Sequence, residues 1–202
     1  MIDLDTLAER LALPRESGPA TDAPPLGTEG LLHAAVSVVA RPAADGPELL
    51  LIKRAVIEGD PWSGHMAFPG GKHEAGDRHL LETAVRETRE ETGLALPDRP
   101  PEWIGRLPGV APRGPNPLPP LVVTPFLFRV GAEARARVAS PEIERVQWVA
   151  LAELADPARR SELRLRVGDG PAIQRFPAIE LGDEKIWGLT WRVLDALLRR
   201  LR

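Results

Sequence analysis

The 202-residue chain predicts an α/β fold in which a mixed β-sheet carries helices on both faces. Apolar, β-branched runs stand before and between two helical patterns. Those patterns, near residues 80–92 and 189–201, are well separated along the chain. The length suffices to bury one sizeable core and is short for two, so both helices must cover the same sheet.

Ile2 to Leu13 carries leucines at positions 4, 7, 11 and 13, the spacing of a short amphipathic helix. Pro14 to Gly30 is rich in Pro, Gly, Ala and Thr and reads as a connector, so residues 1–30 form a helix and linker and residues 31–202 the globular domain. HAAVSVVARP (33–42) and ELLLIKRA (48–55) look like neighbouring strands joined by a turn at AADG. VIEGDPWSG (56–64) reads as a loop, and HMAFPGG (65–71) as a short strand entering a glycine turn. Leu80 to Thr92 is the clearest helix, with Asp77 placed to cap its start and Gly93 to stop it. Further strands are expected at 102–107, 121–130 and 144–149. The proline-rich stretch 108–120 between them reads as a long irregular loop, and such loops are often functional. A last amphipathic helix, Leu189 to Leu201, closes the chain.

Composition narrows the function. Hydrophobic residues make up 43% and charged residues 27%, the balance of a soluble globular protein, and the formal net charge is -3. That charge gives no reason to expect a nucleic acid as partner, and a polyanionic small molecule would need local arginines or metal ions. Cysteine is absent, which excludes disulfides, thiolate metal sites and a cysteine nucleophile. No apolar run approaches the roughly 18 residues of a membrane-spanning helix, and the acidic, leucine-bearing N-terminus does not read as a secretory signal. The expectation is a cytoplasmic protein bound neither to membrane nor to nucleic acid.

The chemistry concentrates in RETREETG, Arg86 to Gly93. Glu87, Glu90 and Glu91 stand at i, i+3 and i+4 and emerge from one helical face. Unrelieved, each like-charge pair costs on the order of 0.2–0.5 kcal/mol. Bound Mg²⁺ or Mn²⁺ would reverse that sign, because hard cations prefer carboxylate oxygens. A solvated acidic face, with Arg86 and Arg89 as partners, is the plainer explanation of the helix by itself. FPGG (68–71), just upstream, adds two glycines where a strand turns towards the helix, which permits close approach of backbone to an ion or a phosphate.

Taken together, GGKHEAGDRHLLETAVRETREETGL resembles the Nudix box, the signature of the Nudix hydrolase superfamily. Gly71 matches its first position, and Arg86, Glu87, Glu90, Glu91, Gly93 and Leu94 its last part. Three positions depart from the pattern. The first acid is Asp77 instead of Glu, eight residues instead of seven separate it from Arg86, and Thr88 replaces an aliphatic residue. The extra residue falls at the helix entrance, so it alters the register of Asp77 against Arg86 and leaves the carboxylate spacing intact.

The resemblance implies a Nudix-type alpha/beta/alpha sandwich and attack by water on a diphosphate joined to another moiety. It implies Glu87, Glu90 and Glu91 as ligands of Mg²⁺ or Mn²⁺, with the Gly70 carbonyl as a further oxygen. Glu87 comes first and Glu91 second as the group that activates water, and Arg86 orients a carboxylate. His73 and His79 flank this segment and read as surface or capping residues. A fourth acid often completes such sites; Glu142 is the better placed of Glu142 and Glu144, though an ordinary exposed loop acid fits either.

Flanking segments bear on the substrate. SGHMAFPGG (63–71), the extra residue in the box and IWGLTWRVLDALL (186–198) are similar to the coenzyme A pyrophosphatase branch. Ile186 and Trp187 read as a strand end with an apolar anchor, and Thr190 as a cap of the last helix. That branch also carries an arginine upstream of FPGG, whereas here none stands between Arg54 and Phe68. A basic anchor would come from Arg54, Lys72, Lys53 or Arg113. Trp62 either stacks on a base or packs under its loop. The substrate implied is a small nucleotide: coenzyme A or acyl-coenzyme A first, ADP-ribose or another nucleotide sugar second. A nucleotide-sensing module without activity is the alternative of another class. Pairing of Nudix proteins makes a homodimer an expectation by resemblance only.

Overall fold

Alternation along the first strand decides the architecture. In β1 (Leu32–Arg41), Ala34 and Val38 pack into one apolar cluster, while Ala35 and Val39 pack into another. In β2 (Glu48–Arg54), Leu49 and Leu51 join the first and Leu50 the second. The sheet is thus apolar on both sides and must be covered on both. The computed structural model describes Glu9 and residues 30–59, 62–97, 103–112, 120–166 and 173–201. All but one residue of the expected N-terminal helix, most of the linker and of the loop at 108–120, and Arg113 lie outside the described residues.

The main sheet runs β3-β2-β1-β6-β5, with β4 also on β1 and β7 also on β2. Its other strands are β3 (Met66–Ala67), β4 (Gly70–Lys72), β5 (Trp103–Arg106), β6 (Leu121–Arg129) and β7 (Ile143–Ala150). β1 and β6 are parallel and the remaining pairs antiparallel, so the sheet is mixed. On β6, Val123 and Leu127 face the first cluster, and Phe126 and Phe128 the second. Helix α1 (Leu80–Thr92) closes the second face with Leu80, Leu81 and Ala84. The short helix α2 (Leu151–Ala155) and helix α3 (Gly188–Arg200) close the first, with Leu151, Leu154, Val193, Leu194, Leu197 and Leu198. Each such leucine contributes roughly 1.5–3 kcal/mol by leaving water. Helices on both faces agree with the fold class read from the sequence.

One irregularity of this sheet positions the site. β1 and β2 pair only at Ala40 with Leu49 and Arg41 with Glu48, and then part. Into the gap come β3 on Ile52 and Lys53, and β4 on Ala34 to Val36. The Phe68-Pro69 turn between them is pinned by the Ser37 N–H, which donates to the Pro69 carbonyl at 2.8 Å.

Several boundaries correct the sequence reading. The cap of α1 is His79, whose Nδ1 accepts from the Glu82 N–H at 3.2 Å; Asp77 is turned inward instead. Gly93 stops the helix as expected, at φ 67° with its N–H on the Arg89 carbonyl. Thr190 lies inside α3 and does not cap it, because Gly188, at φ 64°, turns the chain directly from the preceding strand into the helix. Within the loop at 108–120, Val110 forms a β-bridge with Val123. A second sheet, absent from the sequence reading, has the order β10-β9-β8, from β8 (Arg160–Arg166), β9 (Ile173–Leu181) and β10 (Glu184–Trp187). Lys53 Nζ fastens it to the main sheet, 2.8 Å from Glu184 and 3.0 Å from Glu144.

Thr88, where the motif has an aliphatic residue, is fully buried against Ser37. Its hydroxyl lies 2.7 Å from the Ala84 carbonyl and 2.8 Å from Ser37 Oγ, and Ser37 donates to the same carbonyl at 3.0 Å. The departure is therefore matched by a polar partner on β1. Thr88→Val, of equal shape, is expected to cost about 1 kcal/mol in urea unfolding. Combined with Ser37→Ala it should cost less than the sum of the two single changes.

Candidate active site

Arg86 and Asp77 are the rigid centre of the site. Arg86 Nε and Nη2 donate to the two carboxylate oxygens of Asp77 at 2.8 and 3.0 Å. Asp77 also accepts from the Thr83 hydroxyl at 2.8 Å and the Glu74 N–H at 3.1 Å. This set, with Arg86 first, holds the Asp77 carboxyl well below the usual carboxylate range despite its burial. The extra residue at the helix entrance is thus accommodated and the two groups pair. His73 Nδ1 lies 2.9 Å from Thr83 Oγ1, and His79 caps α1, so both histidines serve the loop.

From this centre Arg86 Nη1 reaches Glu87 at 3.0 Å and Glu90 at 3.2 Å. Glu91 turns the other way: its Oε2 accepts the Gly70 N–H at 2.8 Å and its Oε1 lies 4.0 Å from Arg54 Nη1. Burial pushes the Glu91 carboxyl up to about 8; Glu87 and Glu142 push in the same direction, against Gly70 and Arg54. Burial likewise raises Glu87, opposed by Arg86 and supported by Glu90 and Glu74. Negative charge is thus confined where water is scarce, and each carboxylate would be relieved by a cation.

Among the described residues no three acidic or histidine side chains already converge as a coordination group. Arg86 holds two of the helix carboxylates and Gly70 the third. The donor set nevertheless fits a hard divalent cation: it is all oxygen, partly buried and in excess of its counter-charges.

Glycine at 71 is required by this crowding. A Cβ there would collide with the Glu87 carboxylate, whereas one at Gly70, at φ 153°, would meet the β1 backbone, 2.6 Å from Val36 Cα. Gly71→Ala is therefore expected to spare the fold, because a side-chain end can yield. It should cut catalytic turnover about 10²-fold by displacing Glu87, read as kcat beside an unchanged melting temperature.

These groups open on a cleft of about 1140 Å³. Gly70, Glu87, Glu91, Arg54, Lys72, Trp62 and Glu142 all line it, so the structure brings together most residues singled out from the sequence. Glu142 is set at the end of β2, where its carbonyl accepts the Ala55 N–H at 2.7 Å. Trp62 packs against the first apolar cluster while bordering the cleft. Glu90 and Arg86 are the exceptions: neither belongs to the cleft lining, and the Glu90 side chain is 57% exposed. Lys53 and Glu144 are engaged with each other away from it.

Residues the sequence reading missed also border the cleft. Glu74 lies beside Lys72 in the glycine-turn segment. Gln174, Phe176, Trp191 and Arg192 come from the second sheet and α3. A signal was available in ELRLRV, 162–167, where polar and apolar residues alternate just before the glycines of GDG.

A family model described as the NUDIX domain matches residues 31–175. An uncharacterized protein of Schizosaccharomyces pombe is 32% identical over 66% of this chain and 40% of its own length. The human protein named mitochondrial coenzyme A diphosphatase NUDT8 is 31% identical over 77% of this chain and 63% of its own. An uncharacterized Nudix hydrolase NudL of Salmonella paratyphi B is 34% identical over 80% and 78%. The chain thus matches less than two thirds of the length of the first two. Among solved structures, a MutT/nudix family protein from Enterococcus faecalis superposes with a TM-score of 0.57, at 19% identity over 95% of this chain and 72% of its own. The NUDIX domain of Shewanella oneidensis NrtR, complexed with ADP ribose, gives 0.51 at 19% identity over 67% and 82%. At such identities the likeness shows the fold alone.

Proposed function

The chain belongs to the NUDIX family, and from that premise we propose that it hydrolyses the diphosphate bond of a nucleoside diphosphate derivative with Mg²⁺ or Mn²⁺, first coenzyme A or an acyl-coenzyme A. The observation that carries the reading is the cleft itself. It sets Glu87, Glu91 and Glu142 beside an otherwise largely apolar, aromatic chamber large enough for an extended substrate. Support for coenzyme A comes from the human relative, named a coenzyme A diphosphatase, and from the segments flanking the box.

Glu87 and Glu91, with Glu90 and Glu142 turning in from the rim and the Gly70 carbonyl, would hold the cation. Bound there, it would draw charge from the diphosphate and make an attacking water more acidic. Glu87, half-buried and facing the cleft, is the first choice to take the proton from that water, and Glu91 the second. Arg86 keeps Glu87 and Glu90 in place from its anchor on Asp77. Arg54 and Lys72 supply positive charge for phosphate oxygens. The absence of cysteine fits a reducing, cytoplasmic setting, and no helix among the described residues is long and apolar enough to cross a membrane. The test is a panel of coenzyme A, ADP-ribose, NADH and a dinucleoside polyphosphate with each metal. Turnover of ADP-ribose with none of coenzyme A would end the first choice of substrate. Ligand binding with no turnover of any compound would leave a sensing module.

A further inference from the structure

The cleft has a second half, which the carboxylates do not reach. Its wall is the inner face of the β8–β9 hairpin together with the start of α3. Leu165 pairs in register with Gln174, and Leu163 with Phe176. Leu165, Gln174, Phe176, Trp187, Leu189 and Trp191 all border the cavity. The Phe176 and Trp187 rings lie 5.5 Å apart, and His65 meets Trp187 edge-on at 4.6 Å. The cleft acids Glu74, Glu87, Glu91 and Glu142 come from other elements, so the metal-binding chemistry lies in the other half, and the aromatic groups of this wall suit the organic part of a substrate.

Arg166, Arg175, Thr190 and Arg192 also border the cavity from these elements, and two further polar atoms of the wall stand apart from them. Gln174 Oε1 and Trp191 Nε1 are both shut off from solvent, and among the described residues neither finds a hydrogen-bond partner. One is an acceptor and the other a donor only. A buried donor and a buried acceptor left unmade weaken a fold, and a ligand that supplies both complements recovers that loss on binding. Both residues are half-buried at the cleft wall, so a small turn of either side chain presents its atom to a bound molecule. A secondary amide supplies both complements: its carbonyl accepts from the indole N–H, and its N–H donates to the glutamine oxygen. Methylene groups on either side of it suit the aromatic walls.

We infer that this half of the cleft is a subsite for an otherwise apolar arm bearing secondary amides, with Gln174 accepting an amide N–H and Trp191 donating to an amide carbonyl. The inference rests on the reading above for the rest of the substrate, in which the pantetheine arm of coenzyme A is such a chain. An adenine edge offers the same pair of complements, and the experiment separates the two.

The full chain, Gln174→Leu and Trp191→Phe are titrated with 4'-phosphopantetheine and, separately, with ADP, by calorimetry in EDTA. Phosphopantetheine is expected to bind the unaltered chain and to weaken about 5- to 10-fold in each variant. ADP binding should not change, and Gln174→Leu should not lose thermal stability, since it removes an unpaired polar atom; Trp191→Phe stays folded but loses some stability with the indole packing on the first apolar cluster. No phosphopantetheine binding to the unaltered chain, equal binding in all three proteins, or weakened ADP binding in its place would overturn the subsite. Coenzyme A hydrolysis is measured independently on the unaltered chain. If that fails while phosphopantetheine binding behaves as expected, the substrate reading falls and the amide subsite stands.

Discussion

Glu91→Gln is expected to lower metal-dependent diphosphate hydrolysis by about 10²–10⁴-fold, the range for losing a group that moves a proton in the transition state. In the same protein, heat stability in EDTA at pH 7 should rise. The two effects share one cause. Glu91 is 4% exposed, and its carboxyl is pushed up to about 8, chiefly by burial. Without metal, the folded chain therefore holds a proton there that the unfolded chain has released above its ordinary value of 4.5. Stability from this group is complete below that ordinary value and is lost as pH rises through about 8. The melting temperature in EDTA should thus fall between pH 5 and pH 8.5, and added Mn²⁺ should restore it. Glutamine keeps a carbonyl oxygen for the Gly70 N–H, now 2.8 Å from the carboxylate, and carries no charge to bury. Its melting temperature should show a weaker fall with pH. Thermal unfolding at the two pH values, with kcat measured beside it, checks both halves.

Asp77→Ala should have the opposite signature: a large loss of stability together with a loss of activity. The Asp77 side chain is 4% exposed and accepts from Arg86, Thr83 and the Glu74 backbone. Removing it leaves the partly buried Arg86 guanidinium without its principal anchor. Breaking such a pair costs about 3 kcal/mol, which in a domain of this size lowers the melting temperature by roughly 6–12 °C. Activity follows because the Arg86 that positions Glu87 and Glu90 is no longer fixed. Arg86 holds Asp77 deprotonated well into acid, so this stability is complete above the ordinary carboxylate value of 3.8 and is lost progressively as pH falls from there through the depressed one. Urea unfolding at pH 7 and pH 3 measures the difference: Asp77→Ala should be the weaker protein at pH 7 and closer to its parent at pH 3.

What could be read from the sequence follows the strength of local patterning. β1, β2 and β6 are long apolar runs, and α1 combines a carboxylate stripe with a glycine stop, so these elements and Glu87, Glu91, Arg86 and Gly70 were legible. The capping residue was not. Asp77 is the better cap by type, but its carboxylate is taken by Arg86, an interaction that no window of local sequence contains. The second sheet was hidden by Pro177, which sits within β9 and argues against a strand. Gln174 and Trp191 were hidden with it, because they border one cavity only when β9 and the start of α3 are both in place. Helical spacing placed Glu90 with Glu87 and Glu91, and the structure sets it at the rim, on the same Arg86 nitrogen as Glu87.

The account depends on the acidic face of α1 binding a hard cation. Its most direct test is calorimetric titration of Mn²⁺ into the unaltered chain and into Glu87→Gln with Glu91→Gln, each with ADP present and each corrected for the heat of Mn²⁺ binding to ADP alone. The account predicts saturable uptake by the unaltered chain and none by the double variant, with both proteins folded. Equal uptake by the two, or none by either, would contradict it.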